Sequence, residues 1–324
     1  MSSIVRQPVY HPVSVVFLDD SADFLYALRG LFAGAGPDRY FMSAHEALAF
    51  VTSHEARQSA RNPASGPSWS EFEKKGGNAL GEDVMADPAR FDDIAALVVD
   101  YEMPEMTGIE FLAAARDLAC TRILLTATAD ESHAVEAFNA GLIDFYVKKT
   151  DSAMTRKLRG AIDDAKRKFC ARRGHIGVHG VGAVYANRRT ADVLHELAQR
   201  ERIVEYYWRP EQNAVLTFDA EGNAGVFLAW DSHDWAAQCD VVTDEGGPAA
   251  LREEMAARRV MPVYWPHEAY RPGMSRVAFA MPQPVPGLDD THTSWTPIDD
   301  PQLAPELTTF AAWRAAQGAN RNRF

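Results

Sequence analysis

The chain has 324 residues, of which 47% are hydrophobic and 24% are charged, and its formal net charge is −12. No apolar run reaches membrane-spanning length and the N-terminus lacks the features of a secretory signal, so we expect a cytoplasmic protein with two ordinary cores and no membrane partner. The acidic balance argues against nucleic acid as the main partner, and three widely spaced cysteines predict neither a disulfide framework nor a zinc site.

Strand and helix patterns alternate through the first half. We predict strands at 13–18, 39–42, 94–99, 122–126 and 143–147, and helices at 21–33, 44–53, 107–117, 130–139 and 152–170. This alternation predicts an α/β domain with a doubly wound, five-stranded parallel sheet over residues 1–152. The stretch 53–91 is rich in Gly, Pro and Ser, and we predict that it is a flexible surface insertion.

Side chains suited to phosphate chemistry occur where these strands end. Asp19 and Asp20 close the first strand and Asp100 the third, while Thr126 and Lys148 close the last two. Carboxylates crowded together repel one another unless a hard dication such as Mg²⁺ binds between them. One carboxylate can then act as a nucleophile, while a hydroxyl and an ammonium stabilise the charge of a transferring phosphoryl group. The pattern predicts a phosphoryl-transfer site with Asp100 as the nucleophile.

The same residues resemble a known family. Asp19-Asp20, the loop Asp100-x-x-Met103-Pro104-x-Met106-x-Gly108, Thr126-Ala127 and Asp144-Phe145-x-x-Lys148 stand in the order of a two-component response regulator with a CheY-like, flavodoxin-like receiver domain. The resemblance implies that a sensor histidine kinase phosphorylates Asp100. It is also compatible with a homodimer formed through the receiver. It also implies a magnesium site formed by Asp19, Asp20, Asp100 and the carbonyl of Glu102. Thr126 and Lys148 are implied to be catalytic, and Thr126 and Phe145 to form the conformational switch.

One residue departs from the family pattern. Lys149 stands where receivers usually have a proline that is joined by a cis peptide bond. A cis bond before a non-proline residue costs about 2.5–4 kcal/mol, so we expect a trans peptide after Lys148.

A second class of protein uses similar residues. Phosphatases of the haloacid-dehalogenase type have an Asp nucleophile followed by a Thr or Ser and a Lys, but their nucleophile ends the first strand in an Asp-x-Asp-x-Thr motif. Here that strand ends in Asp19-Asp20-Ser21, and the distinctive loop follows Asp100. We therefore expect a phosphoacceptor switch with slow self-catalysed dephosphorylation, and not an enzyme with external substrates.

Composition changes after a basic helix and a glycine-rich linker at 153–181. No lysine follows Lys168, and six of the seven tryptophans lie in the second half. From 182 to 324 we predict a smaller α+β domain. It has a helix at 190–200 and an antiparallel meander of strands at 203–209, 214–219 and 225–230, and further elements follow to the C-terminus. The proline-rich stretch 282–305 is predicted to run over the surface, and 306–317 to form a helix.

The function of this second domain is open on sequence grounds. It resembles uncharacterised output regions that follow receivers in some bacterial regulators, including those linked with quorum-sensing operons. Its element order is also that of restriction-nuclease-like cores, with Asp219 ending the second strand, but the third strand has no acid and no lysine, so we do not expect cleavage of nucleic acid. Two hypotheses stand: a protein-interaction or ligand-sensing module, whose many aromatic residues are either core or pocket lining, or a DNA-binding transcriptional regulator.

Overall fold

The computed structural model describes residues 6–32, 36–61, 87–127, 131–174, 182–209, 212–265, 270, 277–299 and 307–321. These residues form two compact units. One contains the described residues of 12–68 and 89–172, and the other contains those of 1–11, 69–88 and 173–324. Within the described ranges, no helix is both long enough and apolar enough to cross a membrane.

The first unit is a doubly wound parallel sheet, as the sequence predicts. Strand β1 (Val9–Tyr10) belongs to the second unit, and the parallel strands are β2 (Ser14–Leu18), β3 (Arg39–Phe41), β4 (Ile94–Asp100), β5 (Thr121–Thr126) and β6 (Phe145–Lys148). Their order across the sheet is β3-β2-β4-β5-β6. The helices are α1 (Ala22–Phe32), α2 (Ala44–Arg61), α3 (Gly108–Ala114), α4 (Glu131–Asn139) and α5 (Met154–Ala171).

Both faces of this sheet are buried. Every residue of β2 and of β4 is buried, because helices cover both faces of a parallel sheet and its central strands are mostly apolar. On one face β2 and β4 pack against α2, α3 and α4, with Leu18, Leu97 and Val99 in the core. On the other face they pack against α1 and α5, with Phe17, Val98 and Leu158 in the core. This packing holds the carboxyl ends of the strands in fixed positions at one edge.

Helix α2 is longer than the sequence predicts, and the extension takes up the start of the predicted insertion 53–91. The reason is the buried side chain of Gln58. Its amide donates to the carbonyl oxygens of Ile94 and Ala119 at 3.0 and 3.2 Å, and its oxygen accepts from the Ile94 backbone N–H at 2.7 Å. Residues 53–61 are therefore helical, and Pro88–Asp92 forms a 3₁₀ turn before β4. The rest of the predicted insertion, 62–86, lies outside the described residues.

The second unit contains the predicted antiparallel sheet. The meander consists of β7 (Ile203–Arg209), β8 (Ala214–Asp219) and β9 (Ala224–Trp230), and it follows helix α6 (Arg188–Arg200). The remaining elements are α7 (Ser232–Asp244), α8 (Ala249–Ala256), β10 (Met261–Pro262), β11 (Phe279–Ala280), β12 (Gln283–Pro284), β13 (His292–Ile298) and α9 (Phe310–Arg321). The six-stranded sheet has the order β1-β7-β8-β9-β13-β12.

Strand β13 corrects the prediction of a surface segment at 282–305. It pairs with β9 over its whole length, from His292 with Trp230 to Ile298 with Ala224. The indole N–H of Trp295 donates to the hydroxyl of Thr217 at 3.1 Å. A Cβ on Gly225 would come within 2.6 Å of the Trp295 ring, so the glycine makes room for it. The prolines and aspartates on either side of this strand are typical of a surface segment, so the sequence pattern does not indicate a strand here.

The N-terminal segment also differs from the predicted boundary of 1–152. Val9 and Tyr10 pair with Tyr207 and Tyr206 of β7, and the rings of Tyr10 and Tyr206 stack with their centroids 5.6 Å apart. The backbone N–H of Trp208 donates to the Pro8 carbonyl at 3.0 Å. Residues 6–11 thus form an edge of the second unit's sheet, and the parallel unit begins at Pro12.

Candidate functional site

Three predicted carboxylates meet at the carboxyl edge of the parallel sheet. Asp19 and Asp20 directly follow β2, and Asp100 is the last residue of the neighbouring strand β4. One oxygen from each carboxylate lies within 4.8 Å of the others. Asp19 is 1% exposed and Asp100 is 5% exposed, whereas Asp20 faces solvent. Oxygen donors at this spacing fit a shared hard cation such as Mg²⁺.

Asp19 also contacts the backbone just before the first helix of this unit. Its Oδ1 accepts a hydrogen bond from the backbone N–H of Ser21 at 3.0 Å, just before α1. Backbone N–H groups and the helix dipole favour negative charge at this end of a helix. This contact fixes one side of the carboxylate cluster.

A lysine ammonium lies between the two buried carboxylates, and it belongs to Lys149. Its Nζ is 2.7 Å from Asp19 Oδ2 and 2.8 Å from Asp100 Oδ1. The predicted lysine, Lys148, is the last residue of β6 and pairs in register with Thr126. In the sequence, Lys149 is distinctive only because it stands where receivers usually have a proline. The side-chain alternation of the strand was an available signal, since it places Lys149 on the side of Phe145 and Val147.

The peptide between Lys148 and Lys149 is trans, as expected, because the described residues contain no cis peptide bond. The backbone N–H of Lys149 donates to the Thr126 carbonyl at 2.8 Å, which extends the pairing of β5 and β6 by one residue. This bond fixes the backbone from which the Lys149 side chain reaches the carboxylates.

Burial and pairing act in opposite directions on this site. Burial raises the pKa of Asp100, and the hydrogen bond and charge of Lys149 offset part of that rise. Burial lowers the pKa of Lys149, but its hydrogen bonds to Asp100 and Asp19 outweigh that effect, so its pKa is raised overall. The ammonium form is therefore favoured, and it compensates two carboxylates that would otherwise repel each other.

The two predicted switch residues lie on neighbouring strands. Thr126 is 4% exposed and ends β5, one position beyond the residue that pairs with Asp100. Phe145 begins β6, is half-buried on the face covered by α1 and α5, and has the ammonium of Lys168 5.7 Å from its ring centroid. The hydroxyl of Thr126 is thus carried on the strand next to the one that ends in Asp100.

The loop after Asp100 is held by its glycine. The backbone N–H of Gly108 donates to the Tyr101 carbonyl at 2.9 Å, and a Cβ at position 108 would lie 2.2 Å from the Asp100 carbonyl oxygen. Any larger residue would displace the backbone of Asp100, which explains the glycine of the motif. Glu102, predicted to offer its carbonyl to a metal, is in this loop with an exposed side chain.

A carboxylate of the same loop contacts the start of α2. Glu105 accepts hydrogen bonds from the backbone N–H of His45 at 2.9 Å and from the Ser43 hydroxyl at 3.0 Å, and it lies 2.7 Å from His45 Nδ1. The hydrogen bonds from His45 have the largest effect and the bond from Ser43 a smaller one, and together they lower the pKa of Glu105 to about 2. Sequence reasoning missed this contact, because the two segments are far apart in the chain.

In the second unit, two features of the sequence suggest a nuclease-like site or a ligand pocket, namely Asp219 and the many aromatic residues. Both have structural roles. Asp219 closes the turn between β8 and β9. It accepts from the backbone N–H groups of Glu221 and Asn223 at 3.0 and 2.8 Å and from the Asn223 side chain at 2.7 Å. Most of the aromatic residues suggested as pocket lining are core, such as Trp230, whose ring packs edge-on against Trp235 with centroids 5.2 Å apart.

One known domain family matches part of the chain. A family model described as the response regulator receiver domain matches residues 80–159. The chain carries a response regulator receiver domain. The matched segment contains Asp100, Thr126 and Lys149. Asp19 and Asp20 lie outside it and follow β2, the strand that pairs with β4. No curated protein matches the chain by sequence.

Solved structures extend the similarity beyond the receiver. The Legionella pneumophila response regulator LqsR is 22% identical, with a TM-score of 0.71 and a match that covers 95% of each chain. At this identity the match shows the fold, and it shows it over both units. A CheY-like receiver domain protein of Methanospirillum hungatei is 18% identical, with a TM-score of 0.33, and the match covers 49% of this chain and 96% of that one. The low score of this second match adds no support.

Proposed function

We propose that this protein is the response regulator of a bacterial two-component phosphorelay in the cytoplasm, and that a sensor histidine kinase transfers a phosphoryl group to Asp100. The single observation that carries the proposal is the position of the Asp100 carboxylate. It is 5% exposed at the sheet edge, within reach of Asp19 and Asp20 and in contact with an ammonium. A buried carboxylate with cationic stabilisation beside it is suited to act as a nucleophile toward phosphorus.

In the proposed transfer, an oxygen of Asp100 forms a bond to the phosphorus of a phosphohistidine. The phosphorus–nitrogen bond breaks, and the imidazole nitrogen keeps its electron pair. Asp19, Asp20, Asp100 and the carbonyl of Glu102 would hold Mg²⁺, which when bound neutralises charge on the phosphoryl oxygens. The Thr126 hydroxyl would donate to one phosphoryl oxygen and a lysine ammonium to another. Slow hydrolysis of the acyl phosphate would end the signal.

The proposed switch follows from these contacts. Once phosphorylated, Asp100 draws Thr126 toward the new oxygens, and Phe145 turns inward into the space that the threonine leaves. We propose that the resulting shift acts on a second unit that serves protein interaction or ligand sensing. Charge supports this choice over DNA binding, since no lysine follows Lys168 and acidic residues outnumber arginines from 182 onward.

Intact-mass measurement tests the phosphoryl acceptor. The full-length protein is incubated with MgCl₂ and a small phosphodonor, and we expect the wild type to gain one phosphoryl mass and Asp100→Asn to gain none. Asp117→Asn is the matched control, because Asp117 is a largely exposed aspartate of the same unit, and it should behave as wild type. An unmodified wild type, or an Asp100→Asn variant that is still labelled, would refute the proposal.

A salt series tests the output proposal. Full-length protein, with and without phosphodonor, is mixed with random duplex DNA at increasing salt concentrations. We expect no binding in either state. Binding that weakens steeply with salt would show phosphate contacts and would favour the DNA-binding alternative.

A further inference from the structure

The lysine that contacts the carboxylate cluster is one residue further along the chain than the family pattern indicates. Lys148 ends β6 in register with Thr126, and Lys149 is the first residue after the strand. The ammonium of Lys149 forms ion pairs with both Asp19 and Asp100.

The Lys149 ammonium is held from several sides. Its side chain is 17% exposed, and its two carboxylate partners are 2.7 and 2.8 Å away. The ring of Phe24 on α1 lies 4.6 Å from Nζ and adds a cation–π contact. The backbone bond to Thr126 fixes its starting point. Charge-assisted hydrogen bonds of this length, formed by a side chain whose backbone is fixed, indicate a specific contact.

The same position has a consequence for metal binding. Two of the three carboxylates that fit a hard cation already share a positive charge supplied by the chain itself. A divalent cation brought to Asp19 and Asp100 would lie close to a like charge, which disfavours its binding. The Lys149 ammonium and a divalent cation would therefore compete for the carboxylate oxygens of Asp19 and Asp100.

We propose that Lys149, and not Lys148, is the lysine that acts on the phosphoryl group at Asp100, and that its ammonium competes with the divalent cation for Asp19 and Asp100. The first part rests on the proposed function, and the second does not. As an Asp100 oxygen becomes bonded to phosphorus, negative charge moves to the phosphoryl oxygens, and the Lys149 ammonium follows it from the carboxylate. Release of the ammonium from Asp100 leaves Asp19 as its remaining partner.

Titration with MgCl₂ alone tests the competition. Isothermal titration calorimetry on the full-length chain should show Lys149→Met binding Mg²⁺ about tenfold more tightly than wild type, because the variant removes a like charge next to the cation. Lys149→Gln, which keeps hydrogen-bonding capacity without charge, should also bind more tightly, and it serves if the methionine variant fails to fold. Lys157→Met, at an exposed lysine of α5, is the control and should match wild type. Unchanged or weaker binding in both neutral variants would overturn the competition.

The rate of labelling by a small phosphodonor at saturating MgCl₂ tests the assignment. Lys149→Met should slow it by about a hundredfold, as loss of one stabilising donor does elsewhere. Lys148→Met should slow labelling by about tenfold or less. The reverse order would return the role to Lys148. If the wild type takes no phosphoryl group, the proposed function fails, while the MgCl₂ titration still decides the competition.

Discussion

The buried carboxylate of Glu205 should be a major contributor to the stability of the second unit. Glu205 lies in β7 and is fully buried. Its Oε1 accepts from the backbone N–H of Phe310 at 2.6 Å, and its Oε2 accepts from the Tyr207 hydroxyl at 2.7 Å. Because Phe310 is the first residue of α9, this carboxylate joins the C-terminal helix to the sheet and lies at the favourable end of the helix dipole.

The expected effects follow from these two bonds. A hydrogen bond to a charged group contributes about 1.5–3 kcal/mol, so Glu205→Ala, which loses both and leaves their donors buried, should lower the free energy of unfolding by about 3–5 kcal/mol. Glu205→Gln keeps one acceptor and should lose about 1.5–3 kcal/mol. Tyr207→Phe removes one bond only and should fall in the same range as Glu205→Gln.

Urea unfolding followed by tryptophan fluorescence measures this effect, since six of the seven tryptophans lie in the second half of the chain. Glu201→Gln is the control, because Glu201 is a partly exposed carboxylate paired with Arg200 at the end of α6, and it should change stability by less than about 0.5 kcal/mol. If Glu205→Ala and Glu205→Gln both unfold with the wild-type midpoint and slope, the carboxylate does not hold α9 and the reasoning fails.

Two further predictions concern the loop after Asp100. Gly108→Ala should reduce the labelling rate at Asp100 by about a hundredfold, because its Cβ would displace the Asp100 backbone, whereas Gly160→Ala, in open space on α5, should leave it unchanged. The pKa of Glu105 is lowered in the fold from its ordinary 4.5 to about 2 by its bonds from His45 and Ser43, so its contribution to stability is present above pH 4.5 and is lost as the pH falls toward 2. Thermal unfolding should therefore depend less on pH in this window for Glu105→Gln than for wild type, and equal slopes would contradict the contact.

The long elements of the fold could be predicted because their periodicity is strong. The meander strands agree with the prediction to within one residue, since their side chains alternate or are continuously apolar. Strands such as β1 and β10 have only two residues, and their existence depends on a partner elsewhere in the chain. The end of α2 could not be predicted either, because Gln58 acts through backbone groups that folding brings to it.

The same distinction between local pattern and long-range contact applies to the residues of the candidate site. The carboxylates could be placed from sequence because each ends a strand of one parallel sheet, and such ends meet at one edge. The lysine could not be placed by motif spacing alone. Lys148 ends β6 and Lys149 follows it, and the choice between them depends on which backbone position directs the side chain toward Asp19 and Asp100. In the structure, the ammonium of Lys149 contacts both carboxylates.

The most direct test of the central claim is to locate the phosphoryl group. Borohydride reduces an aspartyl phosphate to homoserine, which tandem mass spectrometry of peptides identifies by position. After treatment with MgCl₂ and phosphodonor, we expect homoserine at position 100 and aspartate at positions 19 and 20. Homoserine at position 19 or 20, or at none of the three carboxylates, would contradict it.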